Sequence, residues 1–221
     1  MSKVLVNITS YNRPKMLLNL IDQLDNCDIK VWDDCSNFKI ENIYKWDNKT
    51  TFYHFQENHG KKKAWIKFNR IFEDLRKTDY DYYIFLADDS KLCEDFVNKA
   101  VNMYEGIDDD KKICLSFSNP KRAKKPCFTA VEPVDCGNVI KTQWTDMAFI
   151  CDKNFIDRAI IDPIYPDRWR KNPNLSSGVG SKLSHLFYTR WNLYNVKEEM
   201  VEHIGNNKSL MNPTERKTNK L

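Results

Sequence analysis

Apolar and polar positions alternate in two rhythms along the first hundred residues. VLVNI (4–8), IKVW (29–32), TFYHF (51–55) and YYIFLA (82–87) are short apolar-rich runs, each closed by polar residues, and they read as strands. Between and after them the spacing changes to that of a helix with one apolar face. Met16, Leu17, Leu20, Ile21 and Leu24 form one set, and Pro14 stands where a helix start accepts proline. Trp65, Phe68, Ile71, Phe72 and Leu75 form a second, predicting a helix from about residue 64, and Phe96, Val97, Ala100, Val101 and Tyr104 form a third. Strand–helix alternation of this kind predicts an α/β fold with right-handed crossovers, its mainly parallel sheet flanked by helices on both faces.

The second half is less regular. ICLSFS (113–118) reads as a strand, QWTDMAFIC (143–151) contains another, FIDRAI (155–160) starts a short helix, and 181–194 suits a helix or a long loop. VEHIGNNKSLMN (201–212) reads as a strand leading into an exposed tail. No linker divides the chain, so a single domain with halves 1–110 and 111–221 is expected. In a parallel sheet the carboxyl ends of the strands share one edge, and ligands bind outside that edge. The polar strand ends TSYN, DDCS and DDS should therefore meet in one crevice.

Composition narrows the setting. The chain has 221 residues, 41% hydrophobic and 30% charged, with a net charge of +4. It has no charge-free apolar run of roughly 18 residues, the length a spanning helix needs. The start MSKVLVNITSYNRPK is too polar for a secretory signal, and a cytoplasmic protein without integral membrane association is the expectation. Seven cysteines with no CxxC pair fit reduced, mostly buried thiols better than a disulfide framework or a zinc cage. Basic clusters at Lys61, Lys62 and Lys63, at KRAKK (121–125), at RWRK (168–171) and in the terminal ERKTNKL read as solvated loops or as a contact surface for a polyanion.

The run YYIFLADDS raises the sharpest chemical question. An apolar strand delivers Asp88 and Asp89 together, and neighbouring carboxylates repel unless a cation compensates them. Hard oxygen donors suit Mg²⁺ or Mn²⁺, which needs only one or two carboxylates when substrate phosphates complete its coordination. The competing explanation is a helix cap, with Asp89 or Ser90 starting the next helix.

VLVNITSYNRP, VWDDCS, NHGKKKAWIKFN and YYIFLADDS, in that order, resemble the GT-A nucleotide-sugar glycosyltransferases, particularly the family 2-like members, over most of residues 3–100. A weaker match returns at VEHIGNNKS. The resemblance implies a nucleotide-sugar-binding half at 1–110 and an acceptor-binding, catalytic half at 111–221. It places Thr9, Ser10, Tyr11 and Arg13 as the wall against the nucleotide base, and Asp33 and Asp34 toward base or ribose. His59, Gly60 and Lys61 would lie near the diphosphate, where glycine permits close approach and lysine supplies charge. Asp88 and Asp89 match the acidic motif usually written DxD, here in the form ADDS. That form favours Asp89 as the metal ligand and Asp88 toward the ribose or donor sugar. His203 is the further candidate ligand, a lone structural histidine being the alternative, and Lys208 would approach the diphosphate.

Inverting transfer is the expectation and retaining transfer the alternative; inversion needs a carboxylate base beside the acceptor hydroxyl. The resemblance puts it in the second half, where Asp146 in QWTDMAF is the first choice and Asp167 in PDRW the second; a purely structural aspartate is the alternative. SSGVGSK (176–182) reads as a lid or an ordinary turn, since it lacks the strand and spacing of a phosphate loop. The best expectation is a metal-dependent glycosyltransferase moving a sugar from a nucleoside diphosphate. The basic and aromatic segments KKKAWIKF, KRAKKPCF and DRWRK suit DNA, and resemblance to phage enzymes implies hydroxymethylated cytosine as acceptor, with glucosyl or arabinosyl transfer. The alternatives are a transferase building a viral or cell-envelope glycan, a non-catalytic nucleotide- or nucleic-acid-binding module, and, last, a nucleotidyltransferase.

Overall fold

The computed structural model describes residues 2–39, 42, 49–118, 133–161 and 178–205. Among these residues nine strands form one sheet. In chain order they are β1 (Val4–Ser10), β2 (Asp28–Asp33), β3 (Thr50–His54), β4 (Tyr82–Ala87), β6 (Lys112–Ser116), β7 (Val134–Cys136), β8 (Val139–Lys141), β9 (Phe149–Asp152) and β10 (Asn192–Val196). Their spatial order is β3-β2-β1-β4-β9-β6-β10-β8-β7. A separate antiparallel ribbon pairs β5 (Ser90–Leu92) with β11 (Val201–His203). The helices are α1 (Pro14–Ile21), α2 (Gly60–Leu75), α3 (Phe96–Glu105), α4 (Lys153–Arg158) and α5 (Val179–Phe187).

The sheet is parallel where the sequence pattern is clearest. β1 pairs in parallel with β2 and with β4, and β2 with β3. Beyond β4 it becomes mixed: β9 lies antiparallel between β4 and β6, and β8 and β7 run antiparallel at the far edge, while β10 is parallel to β6. Helices join β1 to β2 through α1, β3 to β4 through α2 and β4 to β6 through α3, and connections of that length suit strands running in the same direction. After that β7 and β8 form a hairpin across Gly137 and Asn138, and no helix separates β8 from β9.

Strand periodicity sorts the core into two layers. Val4, Val6 and Ile8 of β1 and Ile84 and Leu86 of β4 face the layer of Leu17, Leu20, Ala100 and Tyr104 from α1 and α3. Leu5, Tyr83 and Phe85 face the opposite layer with Phe68, Phe72, Phe155, Leu183 and Phe187 from α2, α4 and α5. Phe85 and Phe149 stack at 4.7 Å, tying β4 to β9 inside that second layer. The helix expected from about residue 64 begins one turn earlier, at Gly60, and 181–194 resolves into α5 followed by β10. Among the described residues six cysteines stand outside any disulfide; Cys27, Cys114 and Cys151 are buried, Cys35 and Cys93 half-buried and Cys136 exposed. No helix among them is long and apolar enough to cross a membrane.

Candidate active site

Register brings the polar strand ends together. Ser10 pairs with Asp33, and Thr9 with Ala87, so the residues after β1, β2 and β4 leave the sheet side by side. Backbone bonds extend the contact: Asp34 N donates to Ser10 O at 2.9 Å and Asp88 N to Thr9 O at 3.0 Å. Two loops then lock to each other. Asn12 N donates to Ser36 Oγ at 2.8 Å and Asn37 N to Asn12 Oδ1 at 2.9 Å. Asn12 (φ 53°) and Cys35 (φ 64°) hold left-handed backbone there; asparagine adopts it readily, and a cysteine does so only under constraint.

Asp88 and Asp89 do not cap a helix. The chain continues from them into β5, and α3 begins only at Phe96 after Asp95. Asp88 is buried, accepting from Ser10 Oγ at 3.0 Å and Tyr11 N at 3.1 Å on Oδ2, and from Arg13 Nη1 at 3.1 Å on Oδ1. The same guanidinium nitrogen lies 2.8 Å from Asp89 Oδ2. His203 Nδ1, delivered by β11, lies 3.3 Å from Asp89 Oδ1, and Ile204 N donates to Asp89 O at 2.9 Å.

The two carboxyls are driven apart electrostatically. Burial pushes Asp88 above the usual carboxylate range, against the Tyr11 N–H, Arg13 and the Ser10 hydroxyl. Burial acts upward on Asp89 too, but the His203 imidazole and Arg13 outweigh it and hold that carboxyl below its ordinary value. Asp89 is thus the more secure anion. At Gly205 the chain passes so closely that an added Cβ would stand 2.3 Å from Asp89 Oδ2 and 3.1 Å from its Cβ. Among the described residues no three His, Cys, Asp or Glu side chains converge as a metal cage. One ionised carboxylate and one imidazole nevertheless fit a divalent cation that takes its other ligands from substrate phosphates and water.

Asp33 and Asp34 part company. Asp34 Oδ1 receives His59 N at 3.0 Å and faces His59 Nδ1 at 3.0 Å, while Oδ2 receives Gly60 N and Lys67 Nζ, each at 3.2 Å. A carboxylate offers about four acceptor sites, so these four partners saturate it. Asp34 also brings negative charge to the amino end of α2, where the helix dipole favours it. Asp34, His59 and Gly60 make a largely buried strand-to-helix joint, in which neighbouring backbone donors and Lys67 reach the carboxylate. The backbone of Lys61 belongs to α2; its side chain lies outside the described residues. Asp33 accepts from Ser36 N at 2.9 Å and faces His54 Nδ1 at 3.2 Å on Oδ2, with Ser36 Oγ on Oδ1, so Oδ1 keeps acceptor capacity.

In the second half, the β9 strand places Asp146 at the same edge. Ala148 O accepts from Phe117 N, and the register Phe85 with Phe149 carries the chain back along β4 toward its acidic end. Asp146 is half-buried; its N–H lies 3.5 Å from Ser116 Oγ and its Oδ1 accepts from Met147 N at 2.8 Å. Asp146 Oδ2 has no donor among the described residues. Buried Thr145, donating its N–H to Ser184 Oγ at 2.9 Å, and Gly180, whose added Cβ would stand 2.8 Å from Thr145 O, press α5 against this segment. Asp167, Lys208 and the basic clusters at 121–125 and 168–171 lie outside the described residues. Sequence reasoning missed Ser36, His54, Lys67, Ser116 and Gly205. Ser36, Lys67 and Gly205 each had a signal, lying at the DDCS strand end, in NHGKKKAWIKFN and two residues after the candidate histidine.

No protein-family model matches the sequence, and no curated protein is significantly similar to it. Solved structures do match. Glucosyl-3-phosphoglycerate synthase from Mycobacterium tuberculosis, in a complex with Mn²⁺, UDP-glucose and phosphoglyceric acid, superposes with a TM-score of 0.56 at 12% identity, over 93% of this chain and 72% of that one. A structure described as a mycobacterial protein gives 0.51 at 11% identity, over 93% and 68%. The chain therefore has the GT-A fold, the fold that the resemblance in its sequence implies.

Proposed function

We propose that the protein is a metal-dependent glycosyltransferase that moves a sugar from a nucleoside-diphosphate sugar to a hydroxyl acceptor. The observation that carries this reading is the meeting of the 9–13 loop, the 33–37 loop, Asp88, Asp89 and His203 at the carboxyl edge of one sheet. In this reading the interlocked loops, with Thr9, Tyr11 and the open acceptor site of Asp33, bind the nucleoside. Asp89 and His203 hold Mn²⁺ or Mg²⁺, which when bound supplies positive charge against the leaving diphosphate. Asp88, held by Ser10 and Tyr11, orients toward ribose or sugar hydroxyls. Asp146, with Oδ2 open, accepts the proton of the attacking hydroxyl, which leads to inversion at the transferred carbon.

For the acceptor, the basic and aromatic segments favour a phosphate-bearing molecule. Hydroxymethylated DNA is the reading that the sequence supports; phosphoglyceric acid, found in complexes of the structural neighbour, shares its anionic chemistry. The test is incubation with labelled nucleotide sugars and Mn²⁺, offering hydroxymethylated duplex DNA, phosphoglyceric acid and a neutral oligosaccharide in parallel. Label on an anionic acceptor that vanishes with chelator supports both parts of the reading. Label on the neutral oligosaccharide alone overturns the acceptor assignment, and failure of any nucleoside diphosphate to raise the melting temperature overturns the transferase reading.

A further inference from the structure

The carboxylate pair at the end of β4 already has a cation. Arg13 Nη1 lies 3.1 Å from Asp88 Oδ1 and 2.8 Å from Asp89 Oδ2. All three side chains are largely shielded, with relative exposures of 21% for Arg13, 6% for Asp88 and 15% for Asp89. Close carboxylates in such surroundings would repel strongly without a bridging charge. The arginine comes from the loop after β1, immediately before Pro14 opens α1, whereas Asp89 is also gripped from the far side by the β11 ribbon through His203 and Ile204 N.

We propose that Arg13 is an exchangeable internal counter-cation. It neutralises Asp88 and Asp89 in the ligand-free protein and yields Asp89 when a divalent cation arrives with a diphosphate. This inference rests on the transferase reading for the identity of the second ligand but not for the exchange itself. Two consequences follow from charge balance. A bare divalent cation must compete with a guanidinium already in contact with Asp89 Oδ2, so it binds weakly alone. Once off Asp89, Arg13 keeps Asp88 and turns its remaining donors toward the nucleotide loops, where a diphosphate replaces the anion that it lost. Metal and nucleotide thereby become coupled: each makes the other's binding easier, and neither is held well singly.

The test measures Mn²⁺ binding directly, from the electron paramagnetic resonance signal of the free ion, in the wild-type chain, Arg13→Gln and Arg13→Lys, with and without a panel of nucleoside diphosphates. Circular dichroism first establishes that each variant is folded. Without nucleotide, Arg13→Gln is expected to bind Mn²⁺ about tenfold more tightly than wild type, the scale of one charge-assisted hydrogen bond removed from the competition. Arg13→Lys, which keeps a charge but loses the planar fork, should fall between them. In the wild type a bound diphosphate tightens Mn²⁺, and in Arg13→Gln that gain shrinks. An arginine with a merely structural part would leave Mn²⁺ affinity unchanged or weaken it when removed, and either result overturns the proposal. If Arg13→Gln gains Mn²⁺ affinity while no diphosphate binds any of the proteins, the exchange stands and the transferase reading fails. If diphosphates bind together with Mn²⁺ but all three affinities for Mn²⁺ alone are equal, the reverse holds.

Discussion

Gly205 lies against Asp89 so tightly that a methyl group on it would stand 2.3 Å from Oδ2 and 3.1 Å from both Cβ and Cγ of the aspartate. The carboxylate tip can swing away from such a group, but Asp89 Cβ cannot move without shifting β5. Either the aspartate rotates off His203 or the end of the ribbon lifts. Gly205→Ala is therefore expected to weaken binding of Mn²⁺ with a nucleoside diphosphate by about tenfold or more, the scale of one lost charged contact. Calorimetric titration checks this. Unfolding should change little, because residue 205 stands at the end of the ribbon and outside both core layers.

Asp34 carries a different expectation. Its carboxylate is buried with Lys67, whose ammonium lies 3.2 Å away, and it holds His59 N and Gly60 N at the start of α2. Removing one partner leaves the other charge buried without compensation, which costs about 3–5 kcal/mol. Asp34→Ala should lower the urea midpoint accordingly. Asp34→Ala with Lys67→Met should recover much of the loss, since an apolar replacement of the pair removes the stranded charge. A residue acting mainly on the nucleotide would instead affect binding and leave the midpoint in place.

These two sites show what the sequence could reveal. Strand ends are legible because a buried strand must be apolar and must stop, so VLVNITS, VWDD and YYIFLADD announced both their elements and their common edge. His203 was legible through the short motif around it, and it reaches Asp89 across 114 positions only because β11 pairs with β5. Partner choice was not legible. Nothing in VWDDCS says that the first aspartate ties down Ser36 and His54 while the second caps α2, and nothing in TSYNRP says that Arg13 turns to the acidic pair. Those outcomes depend on which donors lie within 3 Å after folding. The antiparallel entry of β9 was equally hidden, because QWTDMAFIC has the composition of a buried strand in either direction.

Asp146 is the residue on which the proposed chemistry turns. Its backbone is anchored by Ser116 and its Oδ1 by Met147 N, so an amide can take the carboxylate's place with little disturbance. Asp146→Asn is expected to reduce turnover by about 10²–10⁴, the contribution of a general base, while donor binding stays within a factor of about two, an affinity change under 1 kcal/mol. Single-turnover transfer with labelled donor, beside calorimetric donor affinity, separates the two effects. Equal losses in both would make Asp146 a structural residue of the β8–β9 connection.

Two tyrosines set an alkaline limit on stability. Tyr80 OH donates to Asp28 Oδ2 and Tyr82 OH to Glu105 Oε1, each at 2.8 Å. Burial first, and then the neighbouring carboxylate, push both phenols up to about 12 from 10.0. A group with a raised pKa in the folded state keeps its proton there after the unfolded chain has lost it. The folded state then binds more protons, and stability falls as pH rises. The contribution is complete below pH 10 and disappears between about 10 and 12. Wild type should therefore lose its stability advantage over Tyr80→Phe with Tyr82→Phe across that window. Urea midpoints of the two proteins, measured from about pH 8 to 11, should converge; a constant gap would mean that the phenols titrate alike in the folded and unfolded chains.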